Sequence, residues 1–308
     1  MEKIPVIIDC DPGIDDIIGL VLAGRNERID LRAVTVVGGN QTIEKVGNNA
    51  LKVLSFLGVD VPVAFGMEEP LVRDLVIAAE VHGEDGMYGI ELPEASLEAS
   101  DLHAVDLMAE VLEASEEEVA LVCMGPLTNV AFLLKRYPEL KSKISKISLM
   151  GGAISGGNTT NSAEFNIYVD PEAASIVFNS GVPIIMSGLD ITHQANIYEE
   201  DMERIRGIGN KVSDLVVEML ENLLVFHRST GFNGCHMHDP VALLVLTHPG
   251  MMYMEDLRVD IELEGEFTTG MTVGHRDDRF NEKPNAKVGF NIDRDAFVEE
   301  VVGAIEKY

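Results

Sequence analysis

Tryptophan is absent from the 308-residue chain, and aromatic residues make up only 6% of it. No indole ring is therefore available to stack on a ligand, and such contacts fall to smaller rings. Cysteine is nearly absent too: Cys10, Cys123 and Cys235 stand far apart, odd in number and without a CxxC pair. That argues against a disulfide framework or a structural zinc site, and it fits a reducing compartment. Basic residues are scarce, with 23 Lys and Arg against 52 Asp and Glu, giving a net charge of −29. So acidic a chain is a poor partner for a nucleic acid polymer and offers no cationic face to a membrane. No apolar run has the length of a membrane span, and Met1-Glu2-Lys3-Ile4-Pro5 leads into a short apolar strand, unlike a signal peptide. These features predict a cytoplasmic protein. GxSxG and HExxH are also missing, so serine-nucleophile and zincin chemistry lack support.

What is present is an ordinary globular composition, 46% hydrophobic and 24% charged. Short apolar runs alternate with amphipathic stretches. Strands are predicted at 4–8, 31–37, 61–65, 119–123, 144–150 and 182–186, and helices at 14–23, 43–57, 104–113, 129–137 and 171–179. This rhythm predicts an α/β fold with an open, mixed but mainly parallel sheet flanked by helices. After about residue 190 the pattern changes. Helices are expected at 214–227, 240–246 and 294–306, and strands at 259–263, 270–273 and 287–292, with antiparallel pairing for the last two. No repeat or linker divides the chain, so one domain over 1–308 is expected.

The densest chemistry lies in Asp9-Cys10-Asp11-Pro12-Gly13-Ile14-Asp15-Asp16, four carboxylates at the end of a strand and the start of a helix. Ligands of open α/β sheets bind at that edge. Pro-Gly forces a tight turn, so the carboxylates converge, and converging carboxylates repel unless a cation sits between them. All-oxygen ligation suits Ca²⁺ or Mg²⁺. Helix-dipole compensation would explain one or two such acids, not four. His236-Met237-His238-Asp239-Pro240 reads as a helix start, with Asp as cap and Pro in the first turn. The same Asp can turn an oxygen towards a metal, and His238 is a candidate general acid. The glycine-rich loop Gly151–Asn158, followed by Glu164-Phe165-Asn166, matches neither GxGxxG nor GxxxxGK and holds no Lys or Arg. Its amides and carboxylate suit sugar hydroxyls better than phosphate. His82-Gly83-Glu84-Asp85-Gly86 reads as a polar loop whose glycines would allow a mobile lid.

Together these motifs resemble the inosine-uridine nucleoside hydrolase family over essentially the whole chain. The resemblance also takes in Val36-Val37-Gly38-Gly39-Asn40-Gln41-Thr42, Gly125-Pro126-Leu127-Thr128-Asn129, Asp170–Ala174 and Gly188–His193. It implies Ca²⁺-dependent cleavage of the N-glycosidic bond of ribonucleosides to ribose and free base, in nucleoside salvage, with one Ca²⁺ per subunit. Asp11, Asp16 and Asp239 would hold the ion by side chains and Met124 by its backbone carbonyl. Asp11 would also be the general base, and His238 the leaving-group acid. Asp15, Asn40, Met150, Asn158, Glu164 and Asn166 would surround the ribose. His82, Phe165 and Phe226 would line the base pocket, and Asp9 would support the site from behind. The resemblance further implies a Rossmann-like fold and a homodimer or homotetramer.

The lack of tryptophan favours a pyrimidine-preferring or non-specific enzyme, with a purine-preferring one as the alternative. A haloacid-dehalogenase-type phosphohydrolase would want a lysine near the phosphate, which the glycine-rich loop lacks. A non-catalytic calcium- or ribose-binding module would leave the titratable His238 beside Asp239 unexplained.

Overall fold

The computed structural model describes residues 3–276 and 283–308. The first part is a run of strand–helix units. They are β1 (Ile4–Cys10), α1 (Ile14–Arg25), β2 (Ile29–Val36), α2 (Ile43–Leu57), β3 (Val63–Phe65), α3 (Ala79–His82), α4 (Ala104–Ala114), β4 (Val119–Cys123), α5 (Thr128–Arg136) and β5 (Ile144–Met150). There follow α6 (Phe165–Val169), α7 (Pro171–Phe178), β6 (Ile184–Ser187), α8 (Leu189–Thr192), β7 (Asn196–Ile197), α9 (Glu199–Ile208), α10 (Lys211–Ser229) and β8 (Cys235–His236). The chain ends with α11 (Asp239–Thr247), β9 (Met252–Ile261), β10 (Thr272–His275), β11 (Ala286–Ile292) and α12 (Arg294–Ile305).

Among the described residues, nine strands form one sheet in the order β10-β9-β11-β6-β5-β4-β1-β2-β3. Every pairing is parallel except those of β9, which runs antiparallel to both β10 and β11. The expected antiparallel pair is therefore corrected: β10 and β11 do not pair with each other but flank β9 and point the same way. The reason is visible in β9, predicted only over 259–263 although it begins at Met252. Its first half alternates half-buried and exposed residues, Tyr253 and Glu255 among them, so no apolar run marks it.

β1 shows how sequence makes the core. Val6, Ile8 and Cys10 face one apolar cluster and Ile7 the other, all fully buried, because alternate strand residues point to opposite faces. α1, α2, α10, α11 and α12 cover the first face, while α4, α5 and α7 cover the second. α2 stops where Gly58 turns left-handed (φ 65°) and donates its N–H to Leu54 O and Ser55 O. α9 was not predicted. Its apolar stripe is short, with Met202 and Ile205 buried in the core and Ile208 packed against it, the rest is charged, and Asp201 pairs with Arg294. No helix among the described residues is long and apolar enough to cross a membrane.

The chain order places the site. β2 lies on one side of β1 and β4 on the other, so the connection reverses direction between β1 and β4. Such a switch point opens a crevice at the carboxyl ends of the strands. Asp11 follows β1 and Met124 follows β4 at that point.

Candidate active site

The turn after β1 is built around Asp16. Its Oδ2 accepts the Gly13 N–H at 3.0 Å and its Oδ1 the Asp11 N–H at 3.2 Å, meeting donors that the start of α1 leaves free. Asn40 braces the same turn from the segment after β2. Its N–H donates to Asp11 Oδ2 at 2.6 Å, and its Nδ2 donates to Asp11 O and Asp16 Oδ2. Asp239, the first residue of α11, arrives from the far end of the chain. One oxygen from each of Asp15, Asp16 and Asp239 lies within 4.8 Å of the others, and all three residues are buried. The sequence placed Asp15 towards the ribose and Asp11 among the ligands. The structure packs Asp15 into this close trio, and Asp11 is fully buried and bonded to Asp16 Oδ1 through its N–H.

Burial pushes the carboxyl of Asp16 up to about 7, and the charge of Asp15 adds to this. Asp11 and Asp239 are raised well above the usual range by burial first and then by their acidic neighbours. Asp11 Oδ1 is buried without any hydrogen-bond partner. An orphaned oxygen and a crowd of desolvated carboxylates fit a divalent cation. The donors are all oxygens, which suits a hard ion. The Met124 carbonyl accepts Asn166 Nδ2 at 2.8 Å and retains a second lone pair.

Asp9 lies deeper. Its Oδ1 accepts from Thr35 Oγ1 (2.7 Å) and Asn129 Nδ2 (2.9 Å), and burial raises its carboxyl to about 7. Asn129 also accepts the Met67 N–H, so Asp9 is tied to the neighbouring strand ends.

Above the acids is a cavity of about 310 Å³. Asp15, Asn40, Met124 and Asp239 line its floor. Met150, Asn158, Glu164, Phe165 and Asn166 line one side. Glu164 caps α6: Oε1 accepts the Asn166 N–H, and Oε2 accepts those of Gly152 and Ile167. Burial nevertheless raises it to about 7. Asn166 donates through Nδ2 to Met124 O and Met150 O, which leaves its Oδ1 for a ligand. Asn158 is exposed at the rim, with Oδ1 accepting the Phe165 N–H at 3.0 Å.

The opposite wall is made of rings. Phe226 and His82 line the same cavity. His82 is packed down, its Nδ1 accepting the Ile14 N–H at 3.3 Å. The segment after it is tied to Gln41, just before α2, by Nε2 to Gly83 O and to α2 itself by Asn49 Nδ2 to Asp85 O. The expected free polar loop is thus a helical turn followed by an anchored segment. His238 Nδ1 lies 2.8 Å from Thr192 Oγ1. Sequence reasoning gave no role to Thr192, His193, His227 or His236 and could not place Phe232. All but Thr192 line the cavity, gathered from the end of α8, from α10 and from β8. Burial lowers the pKa of His82, His193, His227, His236 and His238, the last well below its usual value.

The family model described as inosine-uridine preferring nucleoside hydrolase matches residues 6–299. A pyrimidine-specific ribonucleoside hydrolase, RihA, of Escherichia coli is 47% identical, over 99% of both chains. Among solved structures, the purine-preferring ribonucleoside hydrolase from Gardnerella vaginalis superposes with a TM-score of 0.92 at 30% identity, covering 98% of each chain. A plant nucleoside hydrolase gives a TM-score of 0.94 at 29% identity over 99% of this chain and all of the other. With likeness of sequence and fold running from end to end, the chain belongs to the inosine-uridine preferring nucleoside hydrolase family.

Proposed function

We propose that this nucleoside hydrolase acts on pyrimidine ribonucleosides, releasing ribose and free base, with Ca²⁺ at the acid cluster. The observation that carries the reading is the opening of one cavity onto both that cluster and His238. The 47% identical relative that is named pyrimidine-specific, and the absence of tryptophan, support the choice of base.

Asp11, Asp16, Asp239 and the Met124 carbonyl would hold the ion, with Asp15 beside them. When bound, a divalent ion supplies charge that acidifies a water and a template for vicinal hydroxyls. Asp11 Oδ1, free of partners, takes a proton from the attacking water as its oxygen bonds to C1′. The bond from C1′ to the base nitrogen breaks and its electron pair leaves with the base. His238 gives the base a proton from Nε2, since Nδ1 faces Thr192. Burial disfavours the imidazolium there, so the minor protonated fraction at neutral pH does this work, and it gives up its proton readily. Asn166 Oδ1 and Glu164 orient the sugar hydroxyls. The many acids around C1′ stabilise positive charge as it develops on the ribose. We place the enzyme in the cytoplasm as a homodimer or homotetramer, a reading supported by the three free, buried thiols for the compartment and by the family resemblance for the assembly.

The test is a reducing-sugar assay on uridine, cytidine, inosine and guanosine at one pH, before and after chelation. The expected result is turnover of uridine and cytidine, lost on chelation and restored by Ca²⁺. A uridine kcat/KM a hundredfold or more below that of inosine would reverse the base preference. Full activity in a verified metal-free preparation would remove the ion from the reading.

A further inference from the structure

His236 is the hub of the ring wall and has no role in the mechanism above. Its ring centroid lies 4.5 Å from that of Phe232, 4.8 Å from His193, 5.1 Å from His227 and 5.9 Å from His238. The residue is only 5% exposed, and both ring nitrogens are buried, one near the His193 backbone and neither in a well-formed hydrogen bond. A buried polar group without a partner is costly, and native structures keep few of them without a reason. Among the described residues, the group whose ligand atoms approach closely enough to share a metal ion is Asp15, Asp16 and Asp239, with no histidine in it. Burial and the adjacent imidazoles push His236 down to about 3, so the ring is neutral at pH 7.

A neutral imidazole carries one N–H and one lone pair, and exchanging tautomers swaps them. Uracil presents a carbonyl oxygen at C4, which needs a donor. Cytosine presents an amino group there, which needs an acceptor. A neutral histidine can meet either with the same side chain, whereas a lysine or a carboxylate could meet only one. His238 adjoins Asp239 of the acid cluster, and the ring centroids of His236 and His238 lie 5.9 Å apart. That separation is comparable with a six-membered ring and its substituents, so with His238 beside the glycosidic side of the base, His236 meets its outer edge.

We propose that His236 is a specificity-determining residue that pairs, through one ring nitrogen, with the exocyclic group at C4 of a pyrimidine base. This rests on the pyrimidine reading given above. It explains how one site would accept both uridine and cytidine.

The experiment is a cycle of enzyme and substrate changes. kcat/KM is measured for uridine, cytidine and 4-deoxyuridine, in which C4 carries only hydrogen, with wild type, His236→Phe and His236→Gln. Phe keeps the ring volume and removes both nitrogens, while Gln keeps a donor and an acceptor. Wild type should prefer uridine to the 4-deoxy analogue by about tenfold to a hundredfold, the range for leaving a buried partner unmet. In His236→Phe that preference should shrink to about threefold or less, carried mainly by KM, because the two changes remove the same contact. His236→Gln should recover most of it. An unchanged preference in His236→Phe, or equal losses on all three substrates, would overturn the assignment. Wild type that is active on uridine but indifferent to the C4 group would overturn it without any variant having to fold. Wild type that is inert on both pyrimidines would overturn the pyrimidine reading and this assignment together.

Discussion

Thr192 Oγ1 and His238 Nδ1 lie 2.8 Å apart, and this contact decides which imidazole nitrogen serves the substrate. Thr192 ends α8 and is fully buried, so its hydroxyl holds the ring from behind and leaves Nε2 for the base. Replacing His238 by Ala should lower kcat by about 10²–10⁴-fold, the usual contribution of a general acid, with little change in KM. Thr192→Val keeps the shape and removes the hydrogen bond. It should lower kcat by about tenfold, as expected for one buried hydrogen bond, and Thr192→Ser should restore it. Steady-state kinetics decides this, and a Thr192→Val enzyme with wild-type kcat would show that the contact is incidental.

Asp11 sits between two glycines. A Cβ on Gly125 would fall 2.5 Å from Asp11 Oδ1, and one on Gly39 would overlap Asp11 Oδ2. Neither glycine has a positive φ, so the requirement is space and not backbone conformation. Gly125→Ala should displace the Asp11 carboxylate and lower kcat/KM by at least about a hundredfold, the scale expected of a small misplacement at a reacting centre. Calorimetric Ca²⁺ titration should show weakened binding in the same variant. Wild-type kinetics in Gly125→Ala would mean that Asp11 has room the structure does not give it.

The legible part of the site was the part made locally. Asp9 to Asp16 lie on one strand end, one turn and one helix start, so the sequence alone brings them together. Glu164 and Asn166 were readable because they surround a single helix N-terminus. His193, His227 and His236 come from three elements that meet only after α8, α10 and β8 have packed, and no spacing in the chain records that meeting. The fold divides in the same way. Strands buried on both faces, such as β4, were found to the residue, because a continuous apolar run has few other uses. β9 was found only in its second half and α9 not at all, since partial exposure dilutes the pattern in both.

Glu164 links pH to stability. Its carboxyl is held at about 7, against an ordinary 4.5, chiefly by burial. The folded state therefore binds a proton that the unfolded chain has released between those values. This stabilisation is fully present below about pH 4.5 and is lost as pH rises through about 7. Metal-free protein should accordingly unfold at lower urea concentration at pH 8 than at pH 5.5. Glu164→Gln, which cannot ionise, should lessen that slope, with the remainder carried by Asp9 and Asp16, also held at about 7. Parallel slopes for the two proteins would show that Glu164 does not carry the dependence.

Asp170 offers a separation of stability from activity. It lies outside the cavity and joins two backbone N–H groups and one side-chain hydroxyl. Its Oδ1 accepts the Ala173 N–H at 2.9 Å as the cap of α7, and its Oδ2 accepts the Leu71 N–H at 2.9 Å and Thr128 Oγ1 at 2.8 Å. The residue is fully buried, so water cannot readily replace these acceptors. Losing a helix cap costs about 0.5–2 kcal/mol, and leaving a buried donor unmet costs about 1–3 kcal/mol. Asp170→Ala should therefore destabilise the fold by about 2–4 kcal/mol, since the terms overlap and do not simply add. Asp170→Asn keeps an acceptor oxygen for the cap and should lose less. Because neither change touches the acid cluster or the ring wall, kcat on uridine should stay within about twofold of wild type at temperatures where the variant is folded. Urea titration and steady-state kinetics on the same preparations test both halves. A loss below about 0.5 kcal/mol would show that the three donors find other partners. A large fall in kcat in fully folded protein would show that the loop after β3 reaches the active site.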